Sequence, residues 1–530
     1  MIIDVKEVKF PFMWCMEKAF ATIATYLGRN YEMSFSELWN FDLAPEIKQS
    51  DNVIGNKILI NKNYERICNL FEKFHGIKMN EYNLSQEEVF NILYEENRRG
   101  KLPLTQLITP YFLWDSSKTE IPGGHNTILM ITGFSNNNNI VHCIDLHNNR
   151  YGEIAKETLL CSCKNCISYE LTGNEVVDIK YTNILDEVVN KFTSSEHYSD
   201  SISAMFHLAD LVERHLDINL EVDPNNVFNN SLIYKFDLLM RTRGLFSLTT
   251  RFISNKTNIV ALKQISDKLE TVSNTWDLIS KICIKEAYRS VKTDIRILLS
   301  IKIKEAAELE MSIMNDMKNI INNRVCINKY NDNNELCFSN NSDKQGQYIH
   351  IDMRNVYNNK GFCIDINDTK ADFTGMGEYF YLNDDFQIGN PWRVGNMEFY
   401  MPLFDESLND NVSCEGQRID IPLGKYGAIA ILGCSEWGNF TGKLTLNYDD
   451  NQTETIMLKF SDWYGSNGEP YYGEDIAWTG ESIDCKGEIN RNRIYASNYR
   501  IMNNNSQIKS ILLPQCPNMH IFAISLLEIE

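Results

Sequence analysis

The 530-residue chain has no GxxxxGK[ST] phosphate loop, no strand-linked GxGxxG and no His-His-x-x-x-Asp motif. It is therefore not expected to activate a carboxylate with ATP, and any acyl group it handles must arrive already activated. Positive charge is also short: Lys+Arg 51 against Asp+Glu 71 leaves a net charge of −20. That balance argues against nucleic acid or an anionic membrane as partner, since both need a positive field. Long apolar runs are absent. The longest, Thr127–Ile131 and Ala428–Leu432, fall far below the ~18 residues of a bilayer span. No basic segment followed by an apolar one opens MIIDVKEVKF, so no secretory signal is expected. A cytoplasmic setting follows, with the 14 cysteines read as reduced thiols rather than a disulfide framework.

Apolar residues make up 43% of the chain and charged residues 23%, enough for several cores. Residues 1–178 mix helix and strand. Phe20, Ile23, Ala24 and Leu27 recur at helical spacing after Cys15, with Gly28 as a stop. Tyr64–His75 and Ser85–Arg98 read as further helices, the second opened by Ser85 with Glu88 three residues on. Strands are expected at Leu104–Ile108, Thr127–Thr132 and Ile140–Leu146, the last two joined by an Asn-rich turn. Residues 179–325 are almost free of proline and periodic throughout, predicting a helical domain. Residues 326–346 are polar and Asn-rich, a linker. Residues 347–530 alternate in short segments between turns, the pattern of an all-β, jelly-roll-like sandwich. The fold class is thus multidomain α+β.

The chemistry concentrates at Cys15. It opens an amphipathic helix, so its thiol sits at the positive end of the helix dipole, where thiolate is favoured. Gly123-Gly124-His125 leads into the apolar strand NTILMIT, and Asp145 lies one hairpin on. A Cys–His–acid set on helix start, strand and next strand is the papain-type arrangement. Against it stands the bland alternative of a small core cysteine and a strand-end histidine. A simple hairpin count places His147, Asn148 or Asn149 opposite His125, so Asn148 is the alternative orienter.

The stretches PFMWCMEKAFATIATYLG, KLPLTQL, GGHNTILMITGF and VHCIDLHNN resemble papain-fold cysteine enzymes of the butirosin-biosynthesis protein H type. More remotely they resemble bacteriocin-leader-processing cysteine peptidases. The helical stretch with Trp276 and Glu308/Glu310 resembles the extension that follows such domains. The resemblance implies a papain-like catalytic domain over 1–178 and acyl transfer through a cysteine thioester, as in thiotemplated amide synthetases. Cys15 would be the nucleophile, His125 the general base and Asp145 its orienter. Lys9 stands six residues before the cysteine, where papain-like peptidases carry a Gln oxyanion donor, and Met16 follows the cysteine where Gly or Trp is usual. Lys9 is therefore the candidate oxyanion contributor. The rivals are a cysteine peptidase or amidase with water as acceptor, and a non-catalytic binding protein on a papain-like fold.

Three further constellations bear on function. Cys161, Cys163 and Cys166, with Cys143, offer a zinc reading, but CxCxxC is an unusual spacing and no metal is expected. Lys281, Lys285, Arg289, Lys292 and Arg296, spaced by three or four, would share one helix face. The expectation is a docking stripe for an acidic acyl or peptidyl carrier protein, the alternative a solvated face. The C-terminal segment resembles the β-sandwich modules of bacterial glycoside hydrolases, chiefly through Asp462-Trp463 and the closing strand Ile521–Leu526. Its Trp437, Trp463, Tyr471, Tyr472 and Trp478 would stack on a ring or form core. No acid pair suits glycoside hydrolysis. The resemblance to papain-fold acyl-transfer enzymes implies an antibiotic-type, specialised-metabolite amide synthetase. It would take an acyl group from a carrier-protein thioester to a small amine, with no cofactor beyond a carrier's phosphopantetheine.

Overall fold

A computed structural model describes residues 2–45, 53–60, 62–114, 120–135, 137–176, 179–224, 226–227, 230–289, 292–322, 347–363, 371–382, 391–401, 409–464, 469–503 and 506–529. The linker expected over 326–346 lies outside the described residues.

The N-terminal region sets helix α1 (Cys15–Tyr26) against a six-stranded antiparallel sheet. The strands are β1 (Ile77–Tyr82), β2 (Leu104–Tyr111), β3 (Glu120–Ser135), β4 (Ile140–Asp145), β5 (Arg150–Ala155) and β6 (Cys166–Leu171), in the order β1-β6-β2-β3-β4-β5. Helix α2 (Tyr64–His75) starts at Asn63, whose side chain accepts from the Arg66 N–H, and ends at Gly76 in the left-handed region. Helix α3 (Gln86–Arg98) opens on the expected capping box of Ser85 and Glu88.

Strand alternation divides the sheet into two faces. Met130, Ile144 and Leu146 pack with Phe20 and Ile23 of α1. Leu129, Ile131 and Cys143 pack on the other face with Val89 and Leu93 of α3 and Leu159 of α4 (Lys156–Ser162). Asp145 pairs with Leu129, and His125 pairs with Thr109. By alternation both lie on the face away from α1.

Helices follow: α5 (Tyr181–Phe192), α6 (Ser201–His215), the short α7 (Ile218–Glu221), α8 (Ser231–Thr257), α9 (Val260–Tyr288) and α10 (Arg296–Asn322). Their centre is polar. The fully buried Glu310 carboxylate accepts from Arg243 Nε and Nη2 at 2.9 and 3.0 Å, from Trp39 Nε1 at 2.9 Å and from Trp276 Nε1 at 3.4 Å. A buried charge persists when it is paired and hydrogen-bonded on every side.

The basic stripe does not exist as a stripe. Helix α9 ends at Tyr288 and α10 begins at Arg296, so the five residues do not share a helix. Lys292 donates to the carbonyls of Glu286 and Ala287, closing the C-terminus of α9. Asp294 accepts from the Arg296 N–H and pairs with its guanidinium. Lys281 pairs with Asp277, and Arg289 with Glu286 and Glu415. Lys285 is buried, donating to the Glu436 carboxylate and to the Pro517 carbonyl. Each of the five cations has a local anion or carbonyl partner.

The C-terminal region is a β-sandwich. Its larger sheet has Tyr426–Ser435 at the centre, between Ile489–Arg500 and Gln515–Glu528. The smaller runs Arg418–Gly424, Ile508–Leu512, Phe440–Tyr448 and Thr453–Phe460. Trp463 and Trp478 are core residues, and Trp437 packs on Tyr288 at 6.4 Å between ring centres. Of the five aromatics named above, Tyr471 alone is exposed, at 57%. Among the described residues, no helix is long and apolar enough to cross a membrane.

Candidate active site

Cys15 is the first residue of α1, so the N–H groups around it have no intrahelical carbonyl to meet. The preceding segment is pinned to α8. The Phe12 ring lies on Gly244, where a Cβ would come within 2.2 Å of it. Trp14 stacks on Tyr234, with Lys62 and Arg241 over its ring at 3.8 and 4.8 Å. Glu17 accepts from the Trp14 N–H and pairs with Lys62. The thiol is thus presented from a fixed helix start.

The group facing it is His147. Cys15 Sγ lies 3.8 Å from His147 Nδ1. His147 sits in the turn after β4, beyond the sheet's end, and so is free of the alternation that sends His125 and Asp145 to the other face. This turn is held from two sides. Lys18, one helical turn after Cys15, donates to the Leu146 carbonyl at 3.0 Å and to Asn149 Oδ1. The buried Asp145 carboxylate accepts from the N–H groups of His147 and Asn148 at 3.0 and 3.1 Å. It also accepts from Asn148 Nδ2, Thr127 Oγ1 and Trp114 Nε1 at 2.6–2.7 Å. The Trp114 ring reaches it across Gly152, where a Cβ would come within 2.2 Å of the ring.

Asp145 is therefore the anchor of the His147 turn and makes no hydrogen bond to His125. Asn148 serves the same turn, bonded to Asp145 rather than to a histidine ring. His125 stands behind, its ring 6.1 Å from that of His147 and 4.9 Å from Phe112, and its Nε2 is buried with no partner. Lys9 reaches the same cleft, 3.5 Å from the Asn149 carbonyl and 3.5 Å from Glu7.

Burial pushes the Cys15 thiol above its ordinary value, and the Lys18 charge offsets only part of that. The resting group is thus a neutral thiol, against the thiolate expected from the helix start alone. Burial lowers the Lys18 ammonium, the nearby Glu7 and Cys15 opposing it. Burial also lowers His125, with Asp145 pulling the other way, so His125 is neutral at pH 7. Burial alone would raise Asp145, but the hydrogen bonds from Thr127, Asn148 and Trp114 hold it below the usual carboxylate range.

Around the thiol lies an open cleft of about 500 Å³. Its lining includes Trp14, Lys18 and His147 from the N-terminal region, Arg241 from α8 and Tyr471 from the sandwich. The site is shared by all three regions. Lys18, Arg241 and Tyr471 are not among the site residues expected from the sequence. Lys18 was findable, three residues after Cys15 on one helix face; the other two enter only through tertiary packing.

Cys161 is exposed while Cys163 and Cys166 are buried, and Cys163 Sγ donates to the Gln86 carbonyl at 3.8 Å. Among the described residues, no three His, Cys, Asp or Glu side chains are grouped to hold a metal.

Residues 346–529 match the AziU2-like beta-sandwich domain. That match is confined to the C-terminal region and leaves the Cys15 site outside it. No curated protein matches the chain. Among solved structures, similarity is found to a family GH115 4-O-methyl-alpha-glucuronidase, BtGH115A, with specificity for decorated arabinogalactans. The identity is 10%, over 66% of this chain and 34% of that one, with a TM-score of 0.14. The chain spans about a third of that structure's length, and a likeness this loose carries no argument about function.

Proposed function

We propose that the protein is a cysteine-dependent acyltransferase that forms an amide from a thioester and an amine in specialised-metabolite assembly. The observation that carries this is the 3.8 Å approach of Cys15 Sγ to His147 Nδ1 at the mouth of an open cleft. The resemblance of the Cys15 and His125 segments to papain-fold acyl-transfer enzymes supports it, as does the absence of nucleotide motifs.

In this reading the thiol proton passes to His147 Nδ1 as Cys15 Sγ attacks the thioester carbonyl. The N–H groups of the first turn of α1, with Lys9, face the developing oxyanion. The tetrahedral intermediate collapses, the leaving thiolate takes the proton from His147, and the acyl group stays on Cys15. An amine then attacks the acyl carbon, gives its proton to His147, and the Cys15 thiol is released. Asp145 and Lys18 act through the turn they hold and are positioning residues. His125 is the second base, one ring removed. The thioester is borne by a carrier protein or is small.

Incubation with an acyl thioester and a primary amine, with product analysis by mass spectrometry, tests this. Amide formed by wild type and lost in Cys15→Ala is the expected result. Free acid as the only product would make the protein a hydrolase. No consumption of any thioester would remove the acyl-transfer reading.

A further inference from the structure

Arg241 has more donors than partners. Its side chain is only 17% exposed, and its Nε donates to Asp237 Oδ2 at 2.9 Å. Among the described residues its two Nη groups make no hydrogen bond, yet the residue lines the Cys15 cleft. Partly exposed at the cleft wall, these Nη groups are open to a ligand that enters the cleft. Trp14 holds it from below, 4.8 Å from ring centre to Cζ. Lys9 and Lys18 line the same cleft and no Asp or Glu does, in a chain of net charge −20. Tyr471, reaching in from the sandwich, forms part of the wall. A planar fork with two open N–H arms matches a carboxylate or a phosphate.

We infer that Arg241 is an anion-recognition residue of the Cys15 site, and that the substrate presented to Cys15 carries a carboxylate or phosphate seated on its Nη groups. This rests on the reading that Cys15 is the nucleophile. It deepens that reading by naming a substrate class, and it gives the sandwich a place in the site through Tyr471.

Alkylation tests the anion site without any acyl transfer. Iodoacetate and iodoacetamide differ by one carboxylate, and the ratio of their rates at Cys15 is read by peptide mass spectrometry in wild type, Arg241→Gln and Arg241→Lys. Arg241→Gln should lower the iodoacetate-to-iodoacetamide ratio by roughly tenfold, the loss of one charge-assisted contact, with Arg241→Lys in between. The same variants are then given N-acetylcysteamine thioesters of succinate and butyrate, and butyryl-phosphopantetheine. Selective slowing of the succinyl probe places the anion on the acyl group, and selective slowing of the phosphopantetheine probe places it on the carrier arm. A ratio unchanged within about twofold in Arg241→Gln, with the fold intact by circular dichroism, would overturn the inference. If no thioester acylates Cys15 while the alkylation ratio still falls, the acyl-transfer reading fails and the anion site stands.

Discussion

Cys15 Sγ lies 3.8 Å from His147 Nδ1, across the gap between the first turn of α1 and the turn that follows β4. Neither side chain belongs to a regular strand. The thiol is fixed by helix start and aromatic packing. The imidazole is carried by a turn whose backbone is tied to Asp145 on one side and Lys18 on the other. The pair is thus set by two anchors that never touch the thiol themselves.

The two histidines should separate in kinetics. His147→Ala should slow acylation of Cys15 about 10²–10⁴-fold, the usual contribution of a positioned base. His125→Ala should cost less, because its ring stands one imidazole away. Single-turnover acylation rates decide it. A larger loss in His125→Ala would return the base to the strand.

The thiol's acidity should depend on Lys18. Burial keeps Cys15 protonated at pH 7, so its alkylation by iodoacetamide should climb as pH rises through and beyond the ordinary thiol value of about 8.5. Lys18→Met removes the charge that offsets burial and should move that profile to still higher pH. A profile unmoved by the substitution would mean the ammonium does not act on the thiol.

Asp145 should matter for stability as much as for rate. Its folded pKa is depressed, so its contribution is present above the unfolded value of about 3.9 and lost as pH falls through the folded one. Asp145→Ala leaves buried donors of Thr127 and Trp114 unmatched and should cost about 3 kcal/mol or more. Denaturant melts at pH 7 and pH 3 should show the wild-type advantage shrinking in acid. An equal gap at both pH values would contradict the linkage.

At the junction of α9 with the sandwich, Lys285 reaches Glu436, and Glu436 also meets His520 at 3.2 Å. Removing Lys285 alone leaves a buried carboxylate and should cost about 3–5 kcal/mol. Burial, with the Lys285 charge, lowers His520 to about 4, so the imidazole is neutral in the fold. Stability from this group is present above its unfolded value of about 6.5 and lost as pH falls towards 4. Thermal melts of wild type and His520→Asn between pH 7 and 4 should diverge less in acid than at neutrality.

Much of this was legible in the sequence where a local rule decides structure. Asn63 and Gly76 bound α2, and Ser85 with Glu88 opens α3, because caps act within a turn of chain. The alternation of β3 and β4 was equally plain. Apolar spacing ran straight across 289–295, so the break between α9 and α10 was missed. What ends α9 is Lys292 folding back on its last carbonyls, a contact that periodicity does not register. The Thr293-Asp294 pair ahead of Arg296 was the available signal for a new helix start. His147 entered only as a register alternative, since its approach to the thiol depends on where α1 crosses the sheet's end. Arg241 and Tyr471 lie more than 200 residues from Cys15 in sequence, and no spacing rule reaches that far.

The most direct test is the mass of the intact protein after brief exposure to an acyl thioester without amine. A single adduct of the acyl mass is expected, mapped to Cys15, absent from Cys15→Ala and discharged on adding a primary amine. An unmodified wild type across neutral and anionic thioesters, or an adduct that survives in Cys15→Ala, would contradict it.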